Sequence, residues 1–369
     1  MNAFGAFVQK EFFHIARDKR TLFVLIGMPI IQLIIFGYAI RTEINNAAIG
    51  LLDFSKDDET QRIVAKVTGS GYFRLAGYYT SYGEIQDDMR AGKIKSAIVF
   101  EPNFERNLRS VGKANVQILS DASDPNHAAL LNAYISSVIA DYSASMVRQA
   151  GADISLPTIE VKMLYNPEMK SVFMFVPGLI TLLLMLISAL MTSIAITREK
   201  ETGTLEALLV SPLKPTMIIF GKVMPYIALA LINAATVTAV ALALFKTPFR
   251  GSFALFFLEA LLFIIVALSL GILISTIAKT QQTALMMALG GLLMPTVLLS
   301  GYIFPVENMP AWLQIIAHIL PPMWFLRIIR AIMLKGSGLA DLLMETGALV
   351  LMAVVILTVS LKKFKVRLE

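Results

Sequence analysis

Cysteine is absent from this 369-residue sequence, and charged residues are scarce. Without cysteine, no disulfide framework and no thiolate zinc site can form. Aspartate, glutamate, lysine and arginine make up 16% of the chain, whereas an ordinary soluble domain has about 25%. Apolar residues make up 56%, and the soluble cores of a chain of this length could not bury so many. The composition therefore indicates a membrane protein.

The common catalytic and nucleotide-binding motifs are also missing. No Gly-x-x-x-x-Gly-Lys-Ser/Thr loop is present, so the chain cannot bind ATP by that device. The three histidines, His14, His127 and His318, lie far apart and form no metal-ligand pattern. Gly-x-Ser-x-Gly does not occur. We therefore expect that this chain is not an enzyme and that it has no catalytic residue, bound cofactor or metal site of its own.

Six apolar segments reach or approach the length of a transmembrane helix, which is about 20 mainly apolar residues. The first lies near the N-terminus, and the other five follow a long polar stretch. The predicted spans are residues 21–40, 171–196, 225–245, 260–278, 283–304 and 346–361. The fourth can start earlier if Glu259 is tolerated within it.

Residues 41–170 have the composition of a soluble α/β domain. Short β-like runs at 47–54, 96–100, 116–119 and 159–164 alternate with polar, helix-compatible runs, and a helix is predicted over 124–146. An acidic cluster follows the first run and lacks the central glycine and closing glutamate of a calcium loop. We expect it to be a solvated loop; its members are Asp53, Asp57, Asp58 and Glu59.

Lysine and arginine are unevenly distributed among the short loops. Thirteen lie in the N-terminal stretch, the second-to-third and fourth-to-fifth loops and the tail, against five in the short loops of the other side. The positive-inside rule then predicts that both termini are cytoplasmic and that residues 41–170 are extracytoplasmic. The net charge of +6 therefore indicates orientation, and no nucleic-acid partner is expected.

Residues 1–20 are predicted to form an interfacial helix at the inner leaflet. The charged residues Lys10, Glu11 and Arg17 are predicted to lie on other faces than the apolar stripe, and a solvated lead-in is the alternative. The stripe consists of Phe4, Phe7, Val8, Phe12, Ile15 and Ala16.

The charged loop after the second span, residues 197–215, resembles a docking element. The second span is predicted to continue through Arg198–Glu201 and to end at Gly203. A short amphipathic helix is predicted over 204–210, with Glu206 in its first turn, where the helix dipole favours an acid. Such a helix suits docking to a soluble partner, and a helix on the membrane surface is the equal alternative.

The segment 305–330 is too apolar for an ordinary loop and too rich in proline to span the membrane. Short helices that dip into the outer half of the membrane fit it best, which indicates a lid or gate. The predicted fold is thus an α-helical membrane protein with six transmembrane helices, re-entrant outer helices and an inserted extracytoplasmic α/β domain.

Two charges lie within or near the spans. Lys222, near the cytoplasmic end of the third span, can extend its ammonium to the membrane surface. Glu259 is a candidate for a charge in the transport pathway, because intramembrane charges are often functional. The sequence leaves two alternatives open: either Glu259 faces a polar cavity, or the hydrocarbon region of the membrane begins after it.

Two motifs resemble those of the membrane subunits of the ABC-2 family of ATP-binding-cassette exporters, in the branch with a large outer domain between the first two spans. Residues 17–21 and Pro29 in the first span are similar too. The first motif consists of Arg198, Glu199, Glu201, Gly203, Thr204, Leu205, Glu206, Leu208, Leu209, Ser211 and Pro212, and the second of Ser300, Gly301, Tyr302, Pro305, Met309, Pro310, Trp312 and Leu313.

The resemblance implies a complex of two permease subunits, identical or paralogous, each bound to one ABC ATPase that holds ATP and Mg. The first motif would contact the ATPase, and the second would form an outer gate. Amphipathic or hydrophobic molecules such as drugs or lipids would move outward across a bacterial inner membrane. The outer domain would receive substrate or pass it to a periplasmic adaptor.

A membrane-anchored receptor or adaptor is the alternative of another class. In that reading, the outer domain binds a ligand or partner and the spans only anchor it. Five spans in the C-terminal half are more than an anchor requires, so the exporter is the favoured interpretation.

Overall fold

The computed structural model describes residues 3–39, 46–123, 125–149, 165–166, 170–204 and 215–366. The chain divides into two compact units, Thr42–Met169 and the combination of Met1–Arg41 with Lys170–Glu369. In chain order, the elements are α1 (Ala3–Arg17), α2 (Lys19–Ala39), β1 (Ala47–Asp53), α3 (Asp58–Gly69), β2 (Phe73–Tyr79), α4 (Tyr82–Arg90), β3 (Ser96–Phe100), α5 (Phe104–Val111), β4 (Val116–Ser120), α6 (Pro125–Gln149), α7 (Ser171–Glu201), α8 (Pro215–Phe245), α9 (Phe253–Ile277), α10 (Gln281–Leu299), α11 (Ala311–Ile319), α12 (Pro321–Lys335) and α13 (Leu343–Val366), with short 3₁₀ helices at Val306–Asn308 and Leu339–Leu342.

The described part of the unit Thr42–Met169 contains a four-stranded sheet in the order β2-β1-β3-β4. β1 is parallel to β2 and β3, and β4 is antiparallel to β3. Three of the four predicted β-like runs are strands, and the fourth, 159–164, lies outside the described residues. The sequence prediction missed β2, an edge strand whose residues are mostly half-buried or exposed.

The acidic cluster after β1 is not simply a solvated loop. Asp57 caps α3 by accepting from the Thr60 N–H at 3.0 Å, and it accepts from the Glu105 N–H at 2.7 Å at the start of α5. Burial raises the pKa of Asp57, but hydrogen bonds from Ser55, Thr60 and Glu105 outweigh it and hold the pKa below its ordinary value. Glu59 is 2% exposed and accepts from the Tyr142 hydroxyl. The prediction of a solvated loop is therefore wrong for these two acids.

Among the described residues, five helices are long and apolar enough to cross a membrane: α7, α8, α9, α10 and a helix over Leu339–Lys363 that contains most of α13. α2 contains a shorter apolar stretch, Leu25–Tyr38, and α11 and α12 form a pair bent by 85°. These features confirm a mainly helical membrane protein.

One predicted span begins earlier than position 260, an alternative that the sequence leaves open, and another ends earlier than predicted. α9 begins seven residues before position 260, at Phe253, because the Ser252 hydroxyl accepts from the Leu255 N–H and caps the helix. α10 ends at Leu299 rather than 304, although the apolar run continues. Gly301 has a φ of 85°, a left-handed conformation that takes the chain out of the helix.

A proline in α2 is compensated by an asparagine in α8. Pro29 has no N–H, so the carbonyl of Leu25, four residues earlier, loses its partner within the helix. The side-chain amide of Asn233 donates to this carbonyl at 2.9 Å, and Asn233 is 1% exposed. The bond therefore joins α2 to α8 at the point where α2 cannot satisfy its own backbone.

We predict that Asn233→Leu lowers the free energy of unfolding by about 1–3 kcal/mol, the cost of an unpaired buried polar group. Pro29→Ala restores an N–H for the Leu25 carbonyl and should recover part of this loss in the double variant. Thermal unfolding of the detergent-purified chain measures both effects. The assignment would be contradicted if the loss of unfolding free energy in the double variant equalled the sum of the losses in the two single variants.

Candidate functional site

The carboxyl-terminal end of α7 carries the described part of the first motif. The Thr202 N–H donates to the Arg198 carbonyl at 2.9 Å, and Gly203 has a φ of 72°. Gly203 thus ends α7, as the sequence predicts. Thr204 is exposed, and its hydroxyl lies 3.0 Å from that of Thr202. The other residues of the motif, Leu205, Glu206, Leu208, Leu209, Ser211 and Pro212, lie outside the described residues.

Lys200 binds the carboxyl-terminal end of α9. Its ammonium donates to the carbonyl of Ser275 at 2.5 Å. The last four carbonyls of an α-helix have no partner within it, and the helix dipole makes this end negative. A lysine is therefore suited to this position both as a donor and as a cation. Lys200 is not among the predicted site residues, because the motif shows no requirement at its position.

Glu201 binds the opposite kind of helix end. Its carboxylate accepts from the backbone N–H of Gln281 at 3.0 Å and from the side-chain amide of Gln281 at 2.9 Å. Gln281 is the first residue of α10, where unpaired N–H groups favour an anion. Adjacent residues of α7 thus bind the end of α9 and the start of α10 with the charge that each requires.

Glu199 reaches a third helix. Its carboxylate contacts the ammonium of Lys222 in α8 at 2.5 Å, and Lys222 is also 3.3 Å from the carboxylate of Glu11 in α1. Lys222 is 5% exposed and Glu11 is 7% exposed. The prediction that Glu11 lies away from the packed face of the first helix is therefore wrong, and Lys222 is paired inside the protein rather than extended to a membrane surface.

The segment after α10 packs against the start of α7. A Cβ added to Gly178 would lie 2.0 Å from Cδ2 of Tyr302, so the tyrosine ring rests directly on the glycine. Tyr302 is 5% exposed and makes an edge contact with Phe175, with ring centroids 5.8 Å apart. The sequence singles out Tyr302 but gives no sign of its glycine partner, because nothing local relates the two positions.

Arg330 in α12 fixes the same segment. Its guanidinium donates to the Gly301 carbonyl at 3.0 Å and to the Met174 carbonyl in α7 at 3.3 Å. Arg330 therefore bridges the turn after α10 and the start of α7. The sequence indicates only a basic residue in a short loop at this position, because an arginine that binds backbone carbonyls has no motif.

The remaining residues of the second motif lie around the bent pair α11 and α12. Pro305 and Met309 flank the 3₁₀ helix Val306–Asn308, and Pro310 precedes α11. Trp312 is 64% exposed. Trp324 is instead 6% exposed, and its indole N–H donates to the His318 carbonyl at 2.9 Å. The two tryptophans of this segment therefore differ in environment, one exposed and the other buried.

Glu259 is buried between α9 and α13. It is 1% exposed and accepts from the Thr346 hydroxyl at 2.6 Å. Its other carboxylate oxygen has no hydrogen-bond partner among the described residues. Glu259 therefore lies inside the packed helical unit. No group of three His, Cys, Asp or Glu residues in the described ranges could hold a metal ion.

The sequence matches a known family and several curated relatives over most of its length. The family profile of the ABC-2 family transporter proteins matches residues 19–362. The chain is 29% identical over 363 residues to the probable multidrug ABC transporter permease YbhS of Escherichia coli, an alignment that covers 98% of this chain and 96% of the relative.

Two further relatives from the same organism are similar in extent. The probable multidrug ABC transporter permease YbhR is 30% identical over 332 residues, with 90% of each chain covered. The inner membrane transport permease YhhJ is 26% identical over 363 residues, with 96% of this chain and 95% of the relative covered. The chain therefore belongs to the ABC-2 transporter family and is a membrane permease subunit of an ABC exporter, which works with an ABC ATPase.

Proposed function

We propose that this permease moves amphipathic or hydrophobic molecules, drug-like or lipid-like, outward across a bacterial inner membrane. ATP hydrolysis on a separate ATPase drives the transport. One observation carries the proposal: three consecutive residues, Glu199, Lys200 and Glu201, bind α8, α9 and the start of α10 respectively. A force on the chain just after them reaches three further helices.

Segment 197–215 is the proposed docking element for the ATPase. It begins at the end of α7, where these contacts converge, and its sequence favours an amphipathic helix with Glu206 in the first turn. ATP and Mg would be held by two ATPase copies, one for each permease subunit. The absence of a phosphate-binding loop from the sequence is compatible with this division.

The proposed topology has six spans, both termini in the cytoplasm and residues 41–170 outside. α2 would be the first span, and the five long apolar helices would be the others. The excess of lysine and arginine in the loops on one side supports this orientation. The N-terminal helix would then lie on the same side as the docking segment.

The outer gate is proposed to comprise Gly301, Tyr302 and the bent helices within 305–330. Two helices joined at 85° are too short to span separately, which supports a re-entrant arrangement. Tyr302 against Gly178 and Arg330 against the Gly301 carbonyl hold this segment to α7. Motion of α7 would therefore reach the outer mouth, with Glu259 behind it as a buried charge near the pathway.

The substrate class is supported by the names of two relatives, which are probable multidrug ABC transporter permeases. The second permease subunit would be an identical copy or a paralogue. The unit Thr42–Met169 would receive substrate or pass it to a periplasmic adaptor, since it is the large polar part between the first two spans.

We predict that the tagged permease co-purifies with an ABC ATPase and that Glu206→Lys reduces the recovered ATPase by at least about tenfold, because it reverses the charge at a helix start proposed to dock. Quantitative mass spectrometry of the eluate measures the ratio. Asp58→Lys, a matched reversal in the first turn of α3, should leave it unchanged. Normal recovery and ATP-driven efflux in Glu206→Lys would contradict the docking assignment.

We predict that Lys200→Met and Glu201→Gln each weaken the connection between α9 and α10 by about 1 kcal/mol, the worth of a charge at a helix end. Amide exchange over residues 278–284 of the full complex should then rise by roughly fivefold. Lys279→Met removes an exposed lysine from the same connection and serves as the control. An equal rise in all three variants would exclude a specific role of the helix-end contacts.

We predict that Gly178→Ala displaces the Tyr302 ring and lowers the free energy of unfolding by about 1–3 kcal/mol through overpacking. It should also release carboxyfluorescein from proteoliposomes without ATP, because the proposed gate is no longer seated. Adding Tyr302→Ala removes the clash together with the ring that rests on Gly178, and it should leave the leak. Gly347→Ala, at a glycine with open space around it, is the control. Proteoliposomes with Gly178→Ala that retain carboxyfluorescein would contradict the gate assignment.

A further inference from the structure

Charged side chains from three helices meet inside the helical unit at Lys222. Its ammonium lies 3.3 Å from the carboxylate of Glu11 in α1 and 2.5 Å from that of Glu199 in α7. The side chains of Lys222 and Glu11 are 6% and 9% exposed, and that of Glu199 is 21% exposed. One buried cation therefore serves two carboxylates that belong to different helices.

The position of α1 is fixed by close packing next to this cluster. Phe7, Glu11 and Ile15 are spaced by four residues, lie on one face and are all buried. Phe7 approaches α8 so closely that a Cβ on Gly221 would lie 2.5 Å from its ring. Lys222 follows Gly221, and its ammonium lies 5.8 Å from the centre of the Phe7 ring. The glycine thus brings α1 near enough for the lysine to reach Glu11.

The cluster joins a part of the chain outside the family profile to a part inside it. The profile match begins at residue 19, whereas α1 ends at Arg17. Glu11 therefore lies outside the residues that the family profile matches, and its partner Lys222, which lies within them, also binds Glu199 of the first motif. Charge–charge contact at Lys222 of α8 thus adds to this packing and connects α1 to the end of α7.

We propose that Lys222 is a positioning residue for energy coupling, which clamps α1 to the end of α7 so that the two move together when the ATPase acts on segment 197–215. The proposal rests on the proposed function of that segment. Without the ammonium, the carboxylates of Glu11 and Glu199 would lose the cation they share in a poorly solvated site, and their repulsion would favour separation of the two helices. The helix that separates would no longer follow the docking segment.

Spin-label distances test the clamp, because the natural chain contains no cysteine and accepts engineered pairs without background. Labels at Phe13→Cys, 53% exposed on α1, and at Thr202→Cys, exposed just after α7, report their separation. The permease is purified with its ATPase, and the labelled chain is diluted with unlabelled chain. Distances are compared in the nucleotide-free complex and after trapping with ATP and vanadate.

With Lys222 present, the same narrow distance distribution is expected in both states. With Lys222→Met, the trapped state should lose the narrow peak and gain longer distances. ATP hydrolysis should continue, but the label on α1 should respond less to the bound nucleotide. Glu11→Gln, which keeps the shape of the side chain and weakens only the tie to α1, should give the same shift if Lys222→Met fails to fold. Lys10→Met removes a lysine whose side chain is 61% exposed and which contacts Glu11 from the solvent side, and it should leave the distribution narrow.

Two results would overturn the clamp. One is a change of the distance between the two states in the presence of Lys222, and the other is an unchanged narrow distribution in both Lys222→Met and Glu11→Gln. If no ATPase is recovered with the unmutated permease, the proposed function itself fails, and the clamp fails with it. An intact complex that shows either of the first two results rejects the clamp alone.

Discussion

The ammonium of Lys200 on the Ser275 carbonyl and the carboxylate of Glu201 on the Gln281 N–H together organise the helical unit. Helix ends leave backbone groups unpaired, and these groups are costly wherever water is scarce. Two neighbouring residues of one helix satisfy the end of α9 and the start of α10 with opposite charges. The connection between those helices is therefore held by α7 as well as by its own residue Thr280, which caps α10.

The same physical device appears at the other end of α7. Arg330 donates to the Met174 carbonyl near the start of α7 and to the Gly301 carbonyl after α10. Both ends of a 31-residue helix are thus tied by cations that bind backbone carbonyls. Between them, α7 is largely buried against α9 and α12. The same core contains the stacked rings of Phe263 in α9 and Phe325 in α12.

The sequence was sufficient for whatever depends on local composition. Long apolar runs predicted six spans, and five of them are helices long and apolar enough to cross a membrane. Gly203 predicted the end of α7. Length, hydropathy and helix-breaking residues are local properties. Contacts between distant positions were not predictable. Tyr302 packs on Gly178 and Glu11 pairs with Lys222, and no spacing in the sequence predicts either contact. Edge strand β2 was missed because its half-exposed residues give little periodic contrast.

The bond from Asn233 to the Leu25 carbonyl also has a consequence for biosynthesis. The two residues are 208 positions apart, and α2 leaves the ribosome long before α8 is made. Until then, the Leu25 carbonyl opposite Pro29 is without its final partner. This contact between α2 and α8 can therefore form only late in the synthesis of the chain.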